Sequence, residues 1–486
     1  MKTSVVCFAR DEGGDILSWI SWYKFIGVDT IIIFDDGSSD GLSDVLSLVS
    51  GSIDIRIYKN DFDPRPHEER QQKAYSDALK SYGEEFDWMG FFDADEFLLL
   101  PENQKIVDFL DRPQDVGSVV VHWCNYGSSG HVFKPVDYPF AAYTWHSSQE
   151  ETINRHIKSF VRPRAWSGKW VNVHYFDIGF FRHQSAAGKE VYWSSTKGIT
   201  ENSADWSGGK IMHYQCRSME NFVERARRRR DIVLNADVWK KSDYTNIEDR
   251  RPLSFKLEIS NMVRSMNETA IPFFLRKAVE EFESRMEIQN SCQENESALE
   301  LCLLKTMSGE LLSADQSGHV KTGAAGDLIY ALRYVDRKEI IHLFSLNDAH
   351  KINIESDNRI LKFLSYILVP VAGSEYCSLL KPGSSYYISA APTADGGKVV
   401  CNRPLVSNWE TFQLQSVCRS DSFQLKSITI PEAQNTMSFE NFKKIAESED
   451  SEKWVELLPF FYYRQEMMEQ ERFRSYIPLM LRDALF

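Results

Sequence analysis

The chain has no uninterrupted apolar run of eighteen residues, the length a helix needs to cross a bilayer. No Cys-x-x-Cys spacing occurs among its 8 cysteines, which removes the common zinc and dithiol motifs. Positive charge is also short: 56 Lys and Arg stand against 70 Asp and Glu, a net charge of -14. One basic cluster, Arg225 with Arg227 to Arg230, interrupts that balance. Nucleic acid is therefore not expected as a partner, because binding a phosphate backbone needs a basic stripe. The start lacks the basic and apolar stretches of a secretory leader. Together these absences lead us to expect a cytoplasmic protein with reduced thiols, with peripheral membrane contact left open.

With 486 residues, of which 43% are hydrophobic, the chain is long enough for two or three domains with substantial cores. Ser4 to Ala9 reads as a buried strand, Ile16 to Ile26 has helical spacing, and Thr30 to Asp35 is a β-rich strand. A helix over Leu42 to Val49, a strand over Ile53 to Tyr58 and a helix over Glu68 to Tyr82 follow. They lead to the apolar run Trp88-Met89-Gly90-Phe91-Phe92. Strands alternating with helices at this spacing predict βαβ units and a parallel sheet.

That apolar run ends in Asp93-Ala94-Asp95-Glu96-Phe97, so two carboxylates are expected at the carboxyl end of a buried strand. Open α/β sheets bind their ligands at that edge. Two such oxygens suit Mg²⁺ or Mn²⁺, hard ions that leave coordination positions to waters and substrate phosphates. A bare Asp-x-Asp is common by chance, and more often a strand-end or cap pair than a metal site. A second acidic cluster, Asp35-Asp36-Gly37, also ends a strand, where it reads either as a ligand or as a turn cap. A phosphatase of the Asp-x-Asp-x-Thr type is disfavoured by Phe97, which stands where its Thr would be.

Several stretches in this order, Val5 to Glu12, Trp19 to Gly27, Phe34 to Asp40, Asp93 to Phe97, His122-Trp123, Lys158 to Pro163 and His213-Tyr214, resemble the GT-A fold glycosyltransferases of family 2 and the related family 92. The resemblance covers roughly residues 1 to 260. It implies a Rossmann-like mixed sheet with helices on both faces, and a nucleotide-sugar donor, UDP- or GDP-linked. The donor's departing diphosphate would be neutralised by Mn²⁺ or Mg²⁺ held by Asp93, Asp95 and His213. It further implies that Ala9, Arg10, Glu12, Asp35, Asp36 and Asp93 bind the donor. Family members often carry Asn where this chain has Asp11. For an inverting transfer Glu151 is the candidate base, with Glu150 beside it, while His122, His131 and His174 are candidates for acceptor contacts. A lone histidine is as often structural, and that alternative stands for His213. The Arg225 cluster reads as a solvated helical face, with the donor diphosphate or anionic lipid as sharper readings.

The second half has an internal repeat. Leu304 to Ala314 aligns without gaps to Leu380 to Ala390, and Phe344 to Ile354 forms a degenerate third copy with Ile352 in the place of Leu312 and Ile388. Three units of about 40 residues suggest a closed, pseudo-threefold all-β module. The stretch from Tyr386 through Trp409-Glu410-Thr411-Phe412 resembles a fascin-like β-trefoil repeat, in which the tryptophan is expected to close the unit against the core. The expected organisation is a GT-A domain over 1–260, a helical and acidic linker over 261–299, a β-trefoil over 300–430 and a helical tail over 431–486. The expected activity is metal-dependent transfer of a sugar to a glycan or glycolipid acceptor in surface polysaccharide synthesis, by a monomer or a homo-oligomer. The alternative is a carbohydrate-binding or adaptor protein with an inactive GT-A domain.

Overall fold

Buried β-branched and aromatic residues build the first strands: β1 (Thr3–Ala9), β2 (Thr30–Asp35) and β3 (Ile55–Lys59) pair in parallel, and β4 (Trp88–Phe91) pairs in parallel with the other edge of β1. Helices α1 (Gly13–Phe25), α2 (Leu42–Val49) and α3 (His67–Tyr82) connect them. The order reverses at β1, so a crevice opens outside the carboxyl ends of β1 and β4. The sheet continues with β5 (Glu96–Leu99), β6 (Val116–Asn125), β8 (Ile157–Val161), β9 (Arg182–Ser185) and β10 (Lys210–His213), in the order β3-β2-β1-β4-β8-β6-β10-β5 with β9 beside β6. The short β7 (Trp145–His146) pairs with β11 (Ile247–Glu248) outside it. The computed structural model describes all residues except 52–53, 60–63, 103, 136, 229–235, 286–298, 324, 335–338, 346–351, 358, 360, 362, 418–457, 460–461, 464–466, 479–480, 483–484 and 486.

One face of the sheet packs against α3. Val6, Phe8, Ile32, Phe34, Met89 and Phe91 form a continuous core there with Ala74, Tyr75, Ala78 and Phe176. On the edge strand β5, three side chains of α1 take up the outward carbonyls. Trp19 Nε1 donates to Glu96 O at 2.8 Å, Tyr23 Oη to the same oxygen at 3.0 Å, and Trp22 Nε1 to Leu98 O at 2.8 Å. An edge covered in this way cannot pair with another chain, and the Asp93 to Glu96 turn is held rigidly to α1.

The chain divides into two units, Met1–Met266 and Asn267–Phe486, and the division falls within the long helix Lys256–Arg285, beyond the boundary expected near residue 260. The second unit contains β12 (Leu299–Thr306), β13 (Leu312–Ala314), β14 (Val320–Thr322), β15 (Asp327–Tyr334), β16 (Ile340–Ser345), β17 (Leu364–Pro370), β18 (Tyr376–Leu380), β19 (Tyr387–Ala390), β20 (Val399–Arg403) and β21 (Phe412–Ser416). Six of them close a ring: β12 pairs with β15, β15 with β16, β16 with β17, β17 with β18, β18 with β21, and β21 with β12, all antiparallel. Leu312, Ile352 and Ile388, aligned by the repeat, are all buried. Trp409 departs from expectation, being 41% exposed. Ser407 caps a short 3-10 turn over Asn408–Glu410 whose buried side chain is Glu410, and Phe412 takes the core position. The helices expected at Phe439 to Ile445 and in most of Trp454 to Tyr463 lie outside the described residues, as does the acidic stretch 286–298. Among the described residues no helix is long and apolar enough to cross a membrane.

Gly90 lies at the centre of β4, where a Cβ would stand 2.5 Å from the Phe160 ring and 2.6 Å from that of Phe92. Gly90→Ala is therefore expected to destabilise the first unit by about 1–3 kcal/mol, the usual cost of overpacking. Urea unfolding checks this, and an unchanged midpoint would contradict the packing described.

Candidate functional site

A cleft of about 820 Å³ opens at the switch point of the sheet. Its floor comes from the ends of β1 and β4: Ala9 to Glu12 on one side, Asp93 to Asp95 on the other. Trp123, which packs against both His213 and His174, also lines the cleft, as do Arg70 and the ring pair Phe8–His67. Of the expected donor-binding and metal-binding residues, Ala9, Arg10, Glu12, Asp93, Asp95 and His213 therefore line a single cavity.

Sheet register explains how His213 arrives there. β10 runs between β6 and β5, so that His213 stands opposite both Asn125 and Glu96, and Asp95 falls beside it. Nε2 of His213 lies 3.8 Å from Oδ2 of Asp95. The tautomer follows from the amides behind it. Asn125 Nδ2 donates to Asn154 Oδ1 at 2.9 Å, which leaves Asn125 Oδ1 to accept from His213 Nδ1 at 2.9 Å. Nε2 then presents a lone pair to the carboxylate. Burial pushes the His213 pKa down to about 4 against the pull of Asp95 and Asp93, so the ring is neutral near pH 7.

A lone pair facing a carboxylate is repulsive until a cation or a bridging donor stands between them, and the 3.8 Å separation of these two ligand atoms fits a divalent ion. Among the described residues no three His, Cys, Asp or Glu side chains converge as a cage. Such a two-ligand corner leaves the remaining positions to water and to substrate oxygens. The two asparagines that set the tautomer escape sequence reading. Their only signal is that Asn125 ends a long buried strand.

Asp93 is differently placed. Its Oδ1 accepts from Gln71 Nε2 at 2.8 Å, and its Oδ2 from Lys158 Nζ at 2.8 Å. Burial would raise its pKa, but the ammonium outweighs it and holds the carboxyl at about 2. Lys158 is fully buried and also lies 3.2 Å from Glu96 Oε2, which accepts the Asp93 backbone N–H at 2.9 Å. Burial drives the Glu96 pKa well up.

The second acidic cluster does not reach the cleft. Asp35 is 1% exposed, and it accepts from Ser38 N at 2.8 Å and from the Ser43 hydroxyl, as a turn cap does. Both oxygens of Asp36 are held by the Arg70 fork, Nε at 2.8 Å and Nη2 at 2.6 Å, so it is Arg70, and not Asp36, that lines the cavity. Glu151 is exposed at the start of the 3-10 turn Thr152–Arg155 and is absent from the lining, as is Glu150. That turn spends its buried polar position on Asn154 instead. His122 and His131 are engaged elsewhere, with Thr200 Oγ1 at 3.0 Å and Ala142 O at 3.2 Å, and only His174 of that trio reaches the cleft. Arg225 also lines it, with Nη1 2.6 Å from Gln215 O, while Arg229 and Arg230 of the basic cluster lie outside the described residues.

The sheet and cleft are those of an α/β protein whose cavity sits at a topological switch point. Residues 3–251 match the model of glycosyltransferase family 92, slightly more than half of the 486 residues, and the chain belongs to that family. A family 92 protein of Oryza sativa subsp. japonica is 30% identical over 180 residues, covering 36% of this chain and 29% of the relative. One from Ricinus communis is 27% identical over 252 residues, covering 50% and 40% respectively. The chain thus spans well under half the length of these curated relatives. Among solved structures, S. aureus TarS in complex with UDP-GlcNAc is similar with a TM-score of 0.28 at 10% identity, over 57% of this chain and 85% of that one.

The first unit also holds His122, His146 and His183 below their ordinary pKa, each at about 4, chiefly through burial. Folded-state values below the unfolded value mean that their contribution is complete above about pH 6.5 and is lost as the pH falls toward 4. Each contributes up to ~1.4 kcal/mol per pH unit in that window. Burial lowers His174 and His213 in the same sense, while the raised pKa values of Glu96 and Asp40 act in the opposite one, so the histidines outnumber the acids. Unfolding free energy should therefore drop between pH 6.5 and 4.5 in urea titrations, and a flat profile would show that these histidines are not buried neutral.

Proposed function

We propose that the chain transfers a sugar from a nucleoside-diphosphate donor, UDP- or GDP-linked, to a glycan or glycolipid acceptor, with the donor in the cleft between β1 and β4. One observation carries this reading: the Asp95–His213 corner and the Ala9 to Glu12 loop face a single cavity. Membership of family 92 supports it. A divalent ion bound at that corner supplies charge neutralisation for the leaving diphosphate. The chain's own residues do the rest. The Ala9 to Glu12 segment, with Arg70 held by Asp36, borders the nucleoside end. Arg225 presents a guanidinium to the same cavity, where it would steady a diphosphate by charge-assisted hydrogen bonds. His174 presents an imidazole whose Nδ1 is 3.0 Å from Ile157 O, which leaves Nε2 as an acceptor for a hydroxyl.

For the second unit we propose a β-trefoil. The closed six-strand ring supports it, as do the isolated bridges His319–Asn353, Lys321–Lys398 and Glu355–Val400 that link its three hairpin segments. Its proposed role is to hold an acceptor glycan, and the exposed Trp409 offers a face on which a sugar ring can stack. Surface polysaccharide synthesis on the cytoplasmic side of a membrane is the setting that suits such an acceptor.

Release of nucleoside diphosphate from a panel of UDP- and GDP-sugars, with Mn²⁺, Mg²⁺ or a chelator, tests the activity. Asp95→Asn and His213→Ala should each lower transfer by about a hundredfold or more, the range seen when a preorganised electrostatic stabiliser is removed. Their thermal unfolding should stay near that of the parent. Undiminished transfer under chelation would rule out the metal, and no turnover of any donor would rule out the enzyme.

A further inference from the structure

Three carboxylates, Asp93, Asp95 and Glu96, leave the end of β4 within four residues, and a single ammonium is buried among them. Lys158 reaches that position from β8, the antiparallel neighbour of β4, where Ser159 stands opposite Phe91. Its side chain is 0% exposed, while that of Asp93 is 35% exposed to the cleft. A lysine brought wholly out of water must be compensated by carboxylates in good geometry, and here it has two, at 2.8 and 3.2 Å. The same contact changes what Asp93 can do. A divalent ion on Oδ2 would be pressed against the ammonium, and Oδ1 is already held by Gln71, with the Tyr75 hydroxyl at 3.4 Å. The side chain of Asp95 has a different environment, facing the imidazole acceptor of His213.

We infer that Lys158 is a positioning residue that acts as an internal counter-ion to Asp93. It stands where a metal would otherwise sit on that carboxylate, so that Asp93 serves the donor as a hydrogen-bond acceptor while the ion is left to Asp95 and His213. This inference rests on the donor-site reading above and divides labour within it: the two acids of the motif differ in role because only one of them has a buried cation. Lys158 touches neither donor nor acceptor.

The test is calorimetric titration of UDP and GDP, with and without Mn²⁺, into the full-length parent and the variants Lys158→Met, Asp93→Asn, Asp95→Asn and the double variant Lys158→Met/Asp93→Asn. Lys158→Met leaves an uncompensated carboxylate facing a diphosphate, and nucleotide affinity should fall about tenfold or more. The double variant removes both charges and keeps an acceptor oxygen, so affinity should return to within about threefold of the parent, together with the thermal midpoint. A lysine that merely packs would give no such rescue, and a double variant no better than Lys158→Met overturns the inference. Should both Lys158 variants fail to fold, the single acid variants decide. The enhancement of nucleotide binding by Mn²⁺ should survive in Asp93→Asn and vanish in Asp95→Asn, and the reverse result overturns the assignment. A parent that binds neither nucleotide with Mn²⁺ refutes the donor-site reading itself, and the role given to Asp93 falls with it.

Discussion

Crowding of like charge at the end of β4 is the constraint on which the rest of the site depends. The turn Asp93 to Glu96 is drawn tight by the hydrogen bond from the Asp93 amide to Glu96 Oε2, which brings the cleft-facing carboxylate of Asp93 close to the wholly buried one of Glu96. Such a cluster stands only if buried positive charge or protonation relieves it. The sheet supplies the positive charge: Lys158 enters from β8 and lies against both Asp93 and Glu96, opposing the burial that drives the Glu96 pKa up. The three hydrogen bonds from α1 to β5 then fix the strand that leaves the turn, so the acids are presented from a rigid edge and not from a loose loop.

Much of the first unit was legible because its signals are local. Apolar runs with turn residues at their ends mark β1, β2 and β4, and helical spacing marks α1 and α3. The paired acids after β4 could be read from five consecutive residues. What could not be read depends on partners far along the chain. Asp35 and Asp36 look alike in sequence, adjacent strand-end acids just before Gly37, and either could have been a ligand. Only the fold shows that Ser43 and Arg70 claim them. The same holds for Lys158, 65 residues from Asp93, and for the asparagine relay behind His213. Glu151 had no partner in the sequence to argue for it, and the fold leaves it exposed.

The second unit teaches a related lesson. Its repeat fixes which aliphatic residues turn inward, because Leu312, Ile352 and Ile388 are set by a period that recurs along the chain. Trp409 was misjudged since its burial was inferred from likeness to a repeat whose tryptophan closes the unit, whereas a short capped turn decides which of two neighbours faces the core. There Glu410, tied to the Ser407 amide at 2.9 Å, goes in and the indole goes out. Local backbone geometry overrides hydrophobicity where the chain reverses direction.

The account stands on the claim that Asp95 and His213 together receive a divalent ion in contact with a nucleoside diphosphate. Pulsed electron paramagnetic resonance of Mn²⁺ with UDP or GDP bound to the protein, prepared with natural and ¹⁵N-labelled histidine, measures this directly. The account predicts one directly bonded imidazole nitrogen, lost in His213→Ala, together with phosphorus couplings from the diphosphate. Bound Mn²⁺ that shows phosphorus couplings but no histidine nitrogen, or a histidine signal that persists in His213→Ala, would contradict it.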